Sequence, residues 1–143
     1  MDLVWSNRLS VGNDMIDSEH KQLLKLVNNL DKFIRQKDPA LFIQALTALE
    51  DMSRLHFSHE ESLAKSIRFP FREHYLEHKY VLDEFRAIKA EIAAYPGHWS
   101  ESLVEHFYLF LCTWAIEHVV EDDMKMKPFL EAYPHDFVPD DLA

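Results

Sequence analysis

The chain has 143 residues, of which 48% are hydrophobic and 13% aromatic, as expected of a globular rather than a disordered protein. Its 25 acidic and 15 basic residues give a formal net charge of −10, which argues against nucleic acid and anionic membranes as partners. The single cysteine, Cys112, excludes an internal disulfide. The first residues lack a basic segment followed by an apolar one, and no run of about 18 apolar residues occurs, so we expect a cytoplasmic protein without a membrane span.

The first 16 residues are predicted to form an extended arm, with Trp5 and Leu9 available to lie against the rest of the protein. A first helix follows, for which Asp17 or Ser18 would provide the N-cap. Its apolar positions step by three and four residues, as on one buried face of a helix. This face carries His20, Leu23, Val27, Leu30 and Ile34.

A second helix is predicted from Asp38-Pro39, the pattern of an N-cap followed by a proline in the first helical position. Its buried face keeps the same alternation to its end. The face is formed by Phe42, Leu46, Leu49, Ser53, His56, Glu60, Leu63 and Ile67. His56 and Glu60 therefore lie in line with leucines, on a face that should be buried.

Phe69-Pro70 ends the second helix, and two further helices are predicted after it. The third carries His74, His78, Val81, Phe85, Ile88 and Ile92 on one face. The segment Tyr95-Pro96-Gly97-His98 should form a turn, and Ser100 should be the N-cap of the fourth helix. The fourth helix carries Leu103, Phe107, Phe110 or Leu111, Trp114 and His118 on its buried face. Pro128 should end or kink it.

Four helices of about 20–27 residues with short connections predict an all-α protein, an up-down-up-down four-helix bundle. Only two glycines leave few of the tight turns that a protein of many strands needs. We expect one domain over residues 1–143, with an extended N-terminal arm at 1–16, the bundle at about 17–128 and an irregular C-terminal tail at 129–143.

Five histidines lie on these buried faces, and they are the strongest functional signal in the chain. They are His20, His56, His74, His78 and His118. One histidine on an apolar face is usually a core residue. However, each buried polar group without a partner costs about 1–3 kcal/mol, so five histidines and two carboxylates could cancel a stability of about 5–15 kcal/mol. Imidazoles bind iron, copper, nickel and zinc, and bridging carboxylates suit a pair of metal ions, so the pattern predicts a buried two-metal site.

Glu60 supplies one carboxylate, because it lies four residues after His56 on the same face. The second must come from an acidic run near the end of the fourth helix, which consists of Glu117, Glu121, Asp122 and Asp123. Helix geometry alone does not select one member of this acidic run. On an ideal α-helix, Glu121, Asp122 and Asp123 lie about 60°, 40° and 140° from His118. The other histidines are not expected to be ligands: His59 adjoins the face that passes through Glu60, and His98, His106 and His135 are interpreted as solvated or capping residues.

At these residues the chain resembles the hemerythrins, in particular the bacterial single-domain members of that family. Four motifs carry the resemblance, and they extend with their surroundings from Trp5 to about Pro128. The motifs are Ile16-Asp17-x-x-His20-Lys21, His56-Phe57-x-x-Glu60-Glu61, Phe69-Pro70 before His74-x-x-x-His78, and Trp114-x-x-x-His118-Val119-x-x-x-Asp123.

The resemblance implies a non-haem di-iron centre that binds O2, with an oxo or hydroxo group bridging the two iron ions. It divides the histidines between the irons: His74, His78 and His118 for a saturated iron, and His20 and His56 for an iron with one open position. Glu60 and Asp123 would bridge both irons, and the family spacing is what selects Asp123 from the acidic run. Phe57, Trp114 and Val119 fall at family positions that shape the apolar pocket around the centre.

Glu121 departs from the family pattern, in which this position commonly holds a small or apolar residue facing the oxygen pocket. Two interpretations stay open. Glu121 either lines the pocket beside Trp114 and the open iron, or turns outward to solvent.

The histidine-rich ligand set favours binding over oxidation, because two Fe(II) ions carry about +4 and two carboxylates with one hydroxide leave about +1. We therefore expect reversible O2 binding by a carrier, store or delivery protein rather than an enzyme. One alternative is a di-iron oxidase, peroxidase or nitric oxide-handling enzyme. The other is an oxygen or redox sensor that acts through a separate partner. Beyond O2, these roles would involve an oxygen-consuming enzyme or a signalling protein as partner.

Overall fold

The computed structural model describes residues 2–95 and 99–143, and within these every side chain except that of Ile116. Over these residues the chain is helical and has no strand, which confirms the all-α four-helix bundle. The long helices are α1 (Asp14–Arg35), α2 (Pro39–Ile67), α3 (Arg72–Ala94) and α4 (Glu101–Thr113). α1 and α3 each pack against both α2 and α4, which closes the bundle. The residues Pro96, Gly97 and His98, predicted to form a turn, lie outside the described part of the chain.

Helix α1 begins at Asp14, earlier than predicted, and neither Asp17 nor Ser18 is its N-cap. The cap is Asn13, whose side chain accepts a hydrogen bond from the backbone N–H of Ile16. Asp17 lies inside the helix, where its carboxylate accepts hydrogen bonds from the arm, including the Val11 N–H at 2.9 Å. The prediction was wrong because Asp17 anchors the arm instead of capping the helix.

The predicted starts of the second and fourth helices are confirmed. Asp38 caps α2 through its contact with the Leu41 N–H, and Pro39 occupies the first turn. Ser100 caps α4 by accepting from the Leu103 N–H at 3.0 Å. At the end of α2, Arg68 adopts a left-handed conformation with φ of 58°, after which the chain turns into α3.

The fourth helix is not α-helical throughout, and this is the main departure from the predicted fold. After Thr113 it continues as a π-helix from Trp114 to Asp122, then as a 3-10 segment (Asp123–Met126) and a short helix α5 (Lys127–Leu130). Pro128 lies in the first turn of α5, where a missing backbone N–H is tolerated, so the helix continues past it to Leu130.

The arm and the tail pack along the bundle. The Asn28 side chain on α1 makes two 2.9 Å hydrogen bonds with the backbone of Leu3, and Lys21 lies over the Trp5 ring at 5.3 Å. The tail carries one 3-10 turn, Asp140–Leu142, and its Phe137 carbonyl accepts from the Asn13 side chain at 2.9 Å. The arm is therefore tied to the body of α1 and the tail to its N-terminal end.

Two buried apolar clusters lie on either side of the predicted ligands. The larger fills the bundle and includes Leu23 and Trp114, whereas the smaller includes Ile16 and Met126. Along α1, His20 therefore lies between a residue of each cluster. On α2, His56 and Glu60 likewise lie between Leu49 of the larger cluster and Leu63 of the smaller, so the ligands form a polar layer between two apolar ones.

By length and composition alone, the helical stretch Glu101–Leu130 could cross a membrane, with a mean hydropathy of 1.2 over its most apolar window. However, 47% of that window is buried inside the protein. Core helices of bundles share this composition, so the stretch is weak evidence for a membrane span.

Candidate metal centre

The seven predicted ligands are brought together in the interior, each no more than 5% exposed. Candidate ligand atoms of five of them lie within 4.8 Å of one another: those of His20, His56, Glu60, His118 and Asp123. The other two reach the same carboxylates, since His74 Nε2 lies 3.3 Å from Asp123 Oδ1 and His78 Nε2 lies 2.9 Å from Glu60 Oε2. All four long helical segments of the bundle thus contribute to one cluster.

Each carboxylate turns its two oxygens towards different histidines. Asp123 Oδ2 faces His20, His56 and His118 at 2.6, 3.3 and 3.1 Å, whereas Oδ1 faces His74. Glu60 Oε1 lies 2.7 Å from His56 Nε2, and Oε2 faces His78. This is the arrangement that two carboxylates need in order to bridge two cations. His118 shares its carboxylate oxygens with His20 and His56 here, so its assignment to the same iron as His74 and His78 stays a prediction.

The π-helix explains how Asp123 reaches the cluster. The backbone N–H of Asp123 bonds to the carbonyl of His118, an i→i+5 bond that makes a wider turn than an α-helix. Residues five apart thereby come onto one face, although they lie about 140° apart on an ideal α-helix. The alternation of three and four residues could not have selected Asp123.

Many nitrogen and oxygen atoms of the predicted ligands lack hydrogen-bond partners within the described part of the chain, which fits a site that holds a metal. Both Glu60 oxygens, Asp123 Oδ1 and the Nε2 atoms of His74, His78 and His118 are buried without a hydrogen-bond partner among the described residues. His78 Nε2 and Glu60 Oε2 are 2.9 Å apart, yet they are not aligned as donor and acceptor. So many unsatisfied buried atoms would be costly in a core, whereas nitrogen and oxygen atoms converging in this way are suited to hold cations.

The two carboxylates favour the protonated forms of three of the histidines when no metal is bound. Burial lowers the pKa of His20, His56 and His74, but contacts with Asp123 and Glu60 outweigh burial and raise each above its usual value. Burial of His78 outweighs its contact with Glu60, so its pKa is lowered. Burial raises the pKa of Asp123, but the charge of His118 and the hydrogen bond with His20 lower it well below the usual range. Because ligands must be deprotonated, a metal that enters has to displace protons.

Glu19 belongs to the site, although the sequence analysis missed it. It is 7% exposed, and its Oε1 lies 2.8 Å from His56 Nδ1, the nitrogen on the opposite side of the ring from the carboxylates. Its other oxygen contacts His59 Nδ1. Glu19 therefore orients the His56 ring and fixes which nitrogen faces the cluster. Its position directly before His20 gave no signal, because neighbours on a helix do not share a face.

Replacing Glu19 by glutamine is expected to lower metal affinity by about 10- to 100-fold, as loss of an orienting partner typically does. The metal content at saturation should stay unchanged, since no predicted ligand is lost. Competition with a metal chelator measures the affinity. Glu61→Gln, at an exposed position of α2, is the control. Equal affinities for both variants would show that Glu19 does not support His56.

The predicted apolar pocket residues are placed around the cluster. Phe57 stacks on His78 with ring centroids 3.8 Å apart, and Trp114 lies parallel to His118 at 6.0 Å. Val119 is fully buried. Phe57 and Trp114 thus lie against two histidines of the cluster.

Of the two interpretations of Glu121, the structure supports the outward orientation rather than a place in the pocket. The side chain of Glu121 is exposed. The wider π-turn rotates positions three apart further from each other than an α-helix does, which carries Glu121 away from His118. Asp122, in contrast, is only 9% exposed and pairs with Lys125. The burial of Glu77 and its hydrogen bond with Asp122 raise the pKa of Glu77 to about 7.

The remaining described histidines lie outside the cluster of ligand atoms. His59 contacts Glu19, and His135 is exposed. His106 is ion-paired rather than simply solvated, with Nε2 3.0 Å from Glu84 and Nδ1 3.3 Å from Glu91. His98 falls outside the described residues.

Comparison with known proteins agrees with this site. Residues 11–130 match the family model of the hemerythrin HHE cation binding domain. The bacteriohemerythrin of Stenotrophomonas maltophilia is 25% identical over 137 residues, 94% of this chain and 86% of that protein. Those of Pseudomonas aeruginosa (25% over 122 residues, 85% and 76% covered) and Clostridium acetobutylicum (25% over 131 residues, 84% and 95% covered) are similar. With a family match over most of its length, the chain belongs to the hemerythrin family.

Proposed function

We propose that this protein holds two iron ions in the buried cluster and binds O2 there reversibly, as a carrier, store or delivery protein of the cytoplasm. The observation that carries the proposal is the pair of buried carboxylates, each with its two oxygens turned to different histidines. A histidine-rich set with two bridging carboxylates suits iron and leaves the centre near neutral charge. Membership of the hemerythrin family supports the same metal.

In this proposal, two carboxylates and five histidines would hold the iron: Glu60, Asp123, His20, His56, His74, His78 and His118. The iron would supply the redox chemistry and the position for O2. Glu19 holds the His56 ring in place through Nδ1, so that Nε2 remains available inside the cluster.

The protein's own contribution to reversibility is to keep protons and water away from the centre. Phe57 and Trp114 cover two of the histidines, and the ligands are almost completely buried. A carboxyl group in the pocket would supply protons and so favour an oxidase, but Glu121 is exposed. Its exposure removes that argument and supports binding over oxidation.

Reversible binding is tested by reducing the iron-loaded protein with dithionite, removing the excess, and admitting air while the visible spectrum is followed. We expect a coloured oxygenated form that disappears when O2 is removed under argon and returns when air is readmitted. Azide added to the oxidised protein should also give a coloured complex.

Direct passage to the oxidised spectrum, with no oxygenated form at stopped-flow resolution, would refute reversible binding and favour the oxidase alternative. Glu121→Leu serves as a control, because an exposed side chain should leave the lifetime of the oxygenated form unchanged. A longer lifetime in this variant would show that Glu121 reaches the centre after all.

A further inference from the structure

The buried carboxyl group of Glu19 contacts two histidines of α2. Its Oε1 lies 2.8 Å from His56 Nδ1, and its Oε2 contacts His59 Nδ1. His56 and His59 are three residues apart, so their side chains are neighbours on the helix. A carboxylate accepts hydrogen bonds, so each ring donates to Glu19 through Nδ1. A chain of contacts therefore runs from His59 through Glu19 to a proposed metal ligand.

His59 is placed differently from the predicted ligands. Its side chain is 21% exposed, whereas that of His56 is fully buried. Among the described residues, His59 is not one of those whose candidate ligand atoms converge. It is not simply a solvated residue either, because it contacts a carboxyl group that is itself buried. The position of His59 therefore fits a residue that acts on the metal centre through Glu19.

Glu19 depends on both histidines for its orientation. Among the described residues, His56 and His59 are the hydrogen-bond partners of its side chain. A glutamate loses much rotational freedom when its side chain is fixed, and two contacts restrain the carboxyl group more than one contact does. Without His59, Oε2 would lose its partner at a buried position, which favours rotation of the carboxyl group. That rotation would also disturb the contact between Oε1 and His56.

We propose that His59 is a positioning residue of the metal centre. By holding Glu19 in place, it keeps the His56 ring turned so that Nε2 faces Glu60 and Asp123 before a metal enters. A ring that is already oriented loses less freedom when it binds a metal, so the affinity for the metal is higher. This inference rests on the proposed metal site but not on O2 binding.

The test is the affinity of the metal-free protein for Zn²⁺, measured by competition with a chelator. Imidazoles and carboxylates bind Zn²⁺, which has no redox chemistry of its own. His59→Leu should weaken binding about three- to ten-fold, the effect of one lost hydrogen bond, and leave the amount bound at saturation unchanged. His59→Asn should retain most of the affinity, because the amide nitrogen of asparagine can take the place of Nδ1 as a donor.

Two further variants show whether His59 acts through Glu19. In a Glu19→Gln background, His59→Leu should have no further effect, because the amide nitrogen that replaces Oε2 cannot accept a hydrogen bond from His59. His106→Leu is the matched control, since His106 also pairs with a glutamate, with Nε2 3.0 Å from Glu84, but lies outside the cluster. This control should leave the affinity for Zn²⁺ unchanged.

Unchanged affinity in His59→Leu would overturn the proposal, and a lowered melting temperature without a change in affinity would assign His59 a purely structural role. Equal losses in His59→Leu and His59→Asn, an equal loss in His106→Leu, or a further loss in the Glu19→Gln background would each contradict it as well. Because Zn²⁺ does not react with O2, these outcomes are distinct from a failure of reversible oxygenation.

Discussion

Asp123→Asn is expected to lower the iron content of the purified protein below two per chain. Asparagine keeps the size of the side chain but removes the charge that faces four histidines in the cluster. It also offers one oxygen instead of two, so it cannot bridge a pair of cations through a carboxylate. Metal analysis of the variant after iron loading and gel filtration measures the loss.

The acidic run provides its own control for this prediction. Glu121→Gln removes a charge only two residues away, but at an exposed position, and should keep two irons per chain. His74→Ala and His78→Ala should also fall below two, whereas His106→Ala and His135→Ala should not. If Glu121→Gln lost iron and Asp123→Asn retained two, the π-helical placement of Asp123 would be wrong.

Removing the iron is expected to lower the melting temperature by about 10 °C. Binding to the folded state alone adds about 3–4 kcal/mol when the metal is at 100 to 1,000 times its Kd. For a domain of this size each kcal/mol corresponds to roughly 3 °C. Calorimetric melting of iron-loaded and metal-free protein measures the difference.

The difference should increase as the pH rises from about 6 to about 8. The raised pKa values of His20, His56 and His74 stabilise the metal-free fold below the unfolded-state pKa, and this stabilisation is lost as the pH rises through the folded-state values. Over the same range, fewer protons compete with the metal. Equal melting temperatures for the two forms at every pH would contradict a metal-stabilised core.

Most of the fold could be predicted because local signals and burial agree. Asp38, Ser100 and the alternation along α2 and α3 each indicate the same helices that packing stabilises. The start of α1 could not be predicted, because Asn13 and Asp17 are both suitable caps. The choice between them depends on the arm, whose Val11 N–H binds Asp17.

The cluster was predicted least well on the fourth helix. His56 and Glu60 keep the i, i+4 spacing of an α-helix, so sequence periodicity found them. Asp123 does not, and only the resemblance to a family pointed to it. The i→i+5 bond between Asp123 and His118 also decides the exposure of Glu121, which an ideal α-helix leaves open.

The π-helix also changes which residues of one continuous helix face the interior of the bundle. His118 and Asp123 are separated by one residue more than His56 and Glu60, and one residue corresponds to about 100° of rotation on an α-helix. Beyond Asp123, the buried positions of this helix are Met126 and Leu130, which belong to the smaller apolar cluster rather than the larger. The same helical register therefore brings the Asp123 carboxylate to the predicted metal ligands and buries Met126 and Leu130 in the smaller apolar cluster. Metal binding and packing at that end of the bundle are set by the same extra residue.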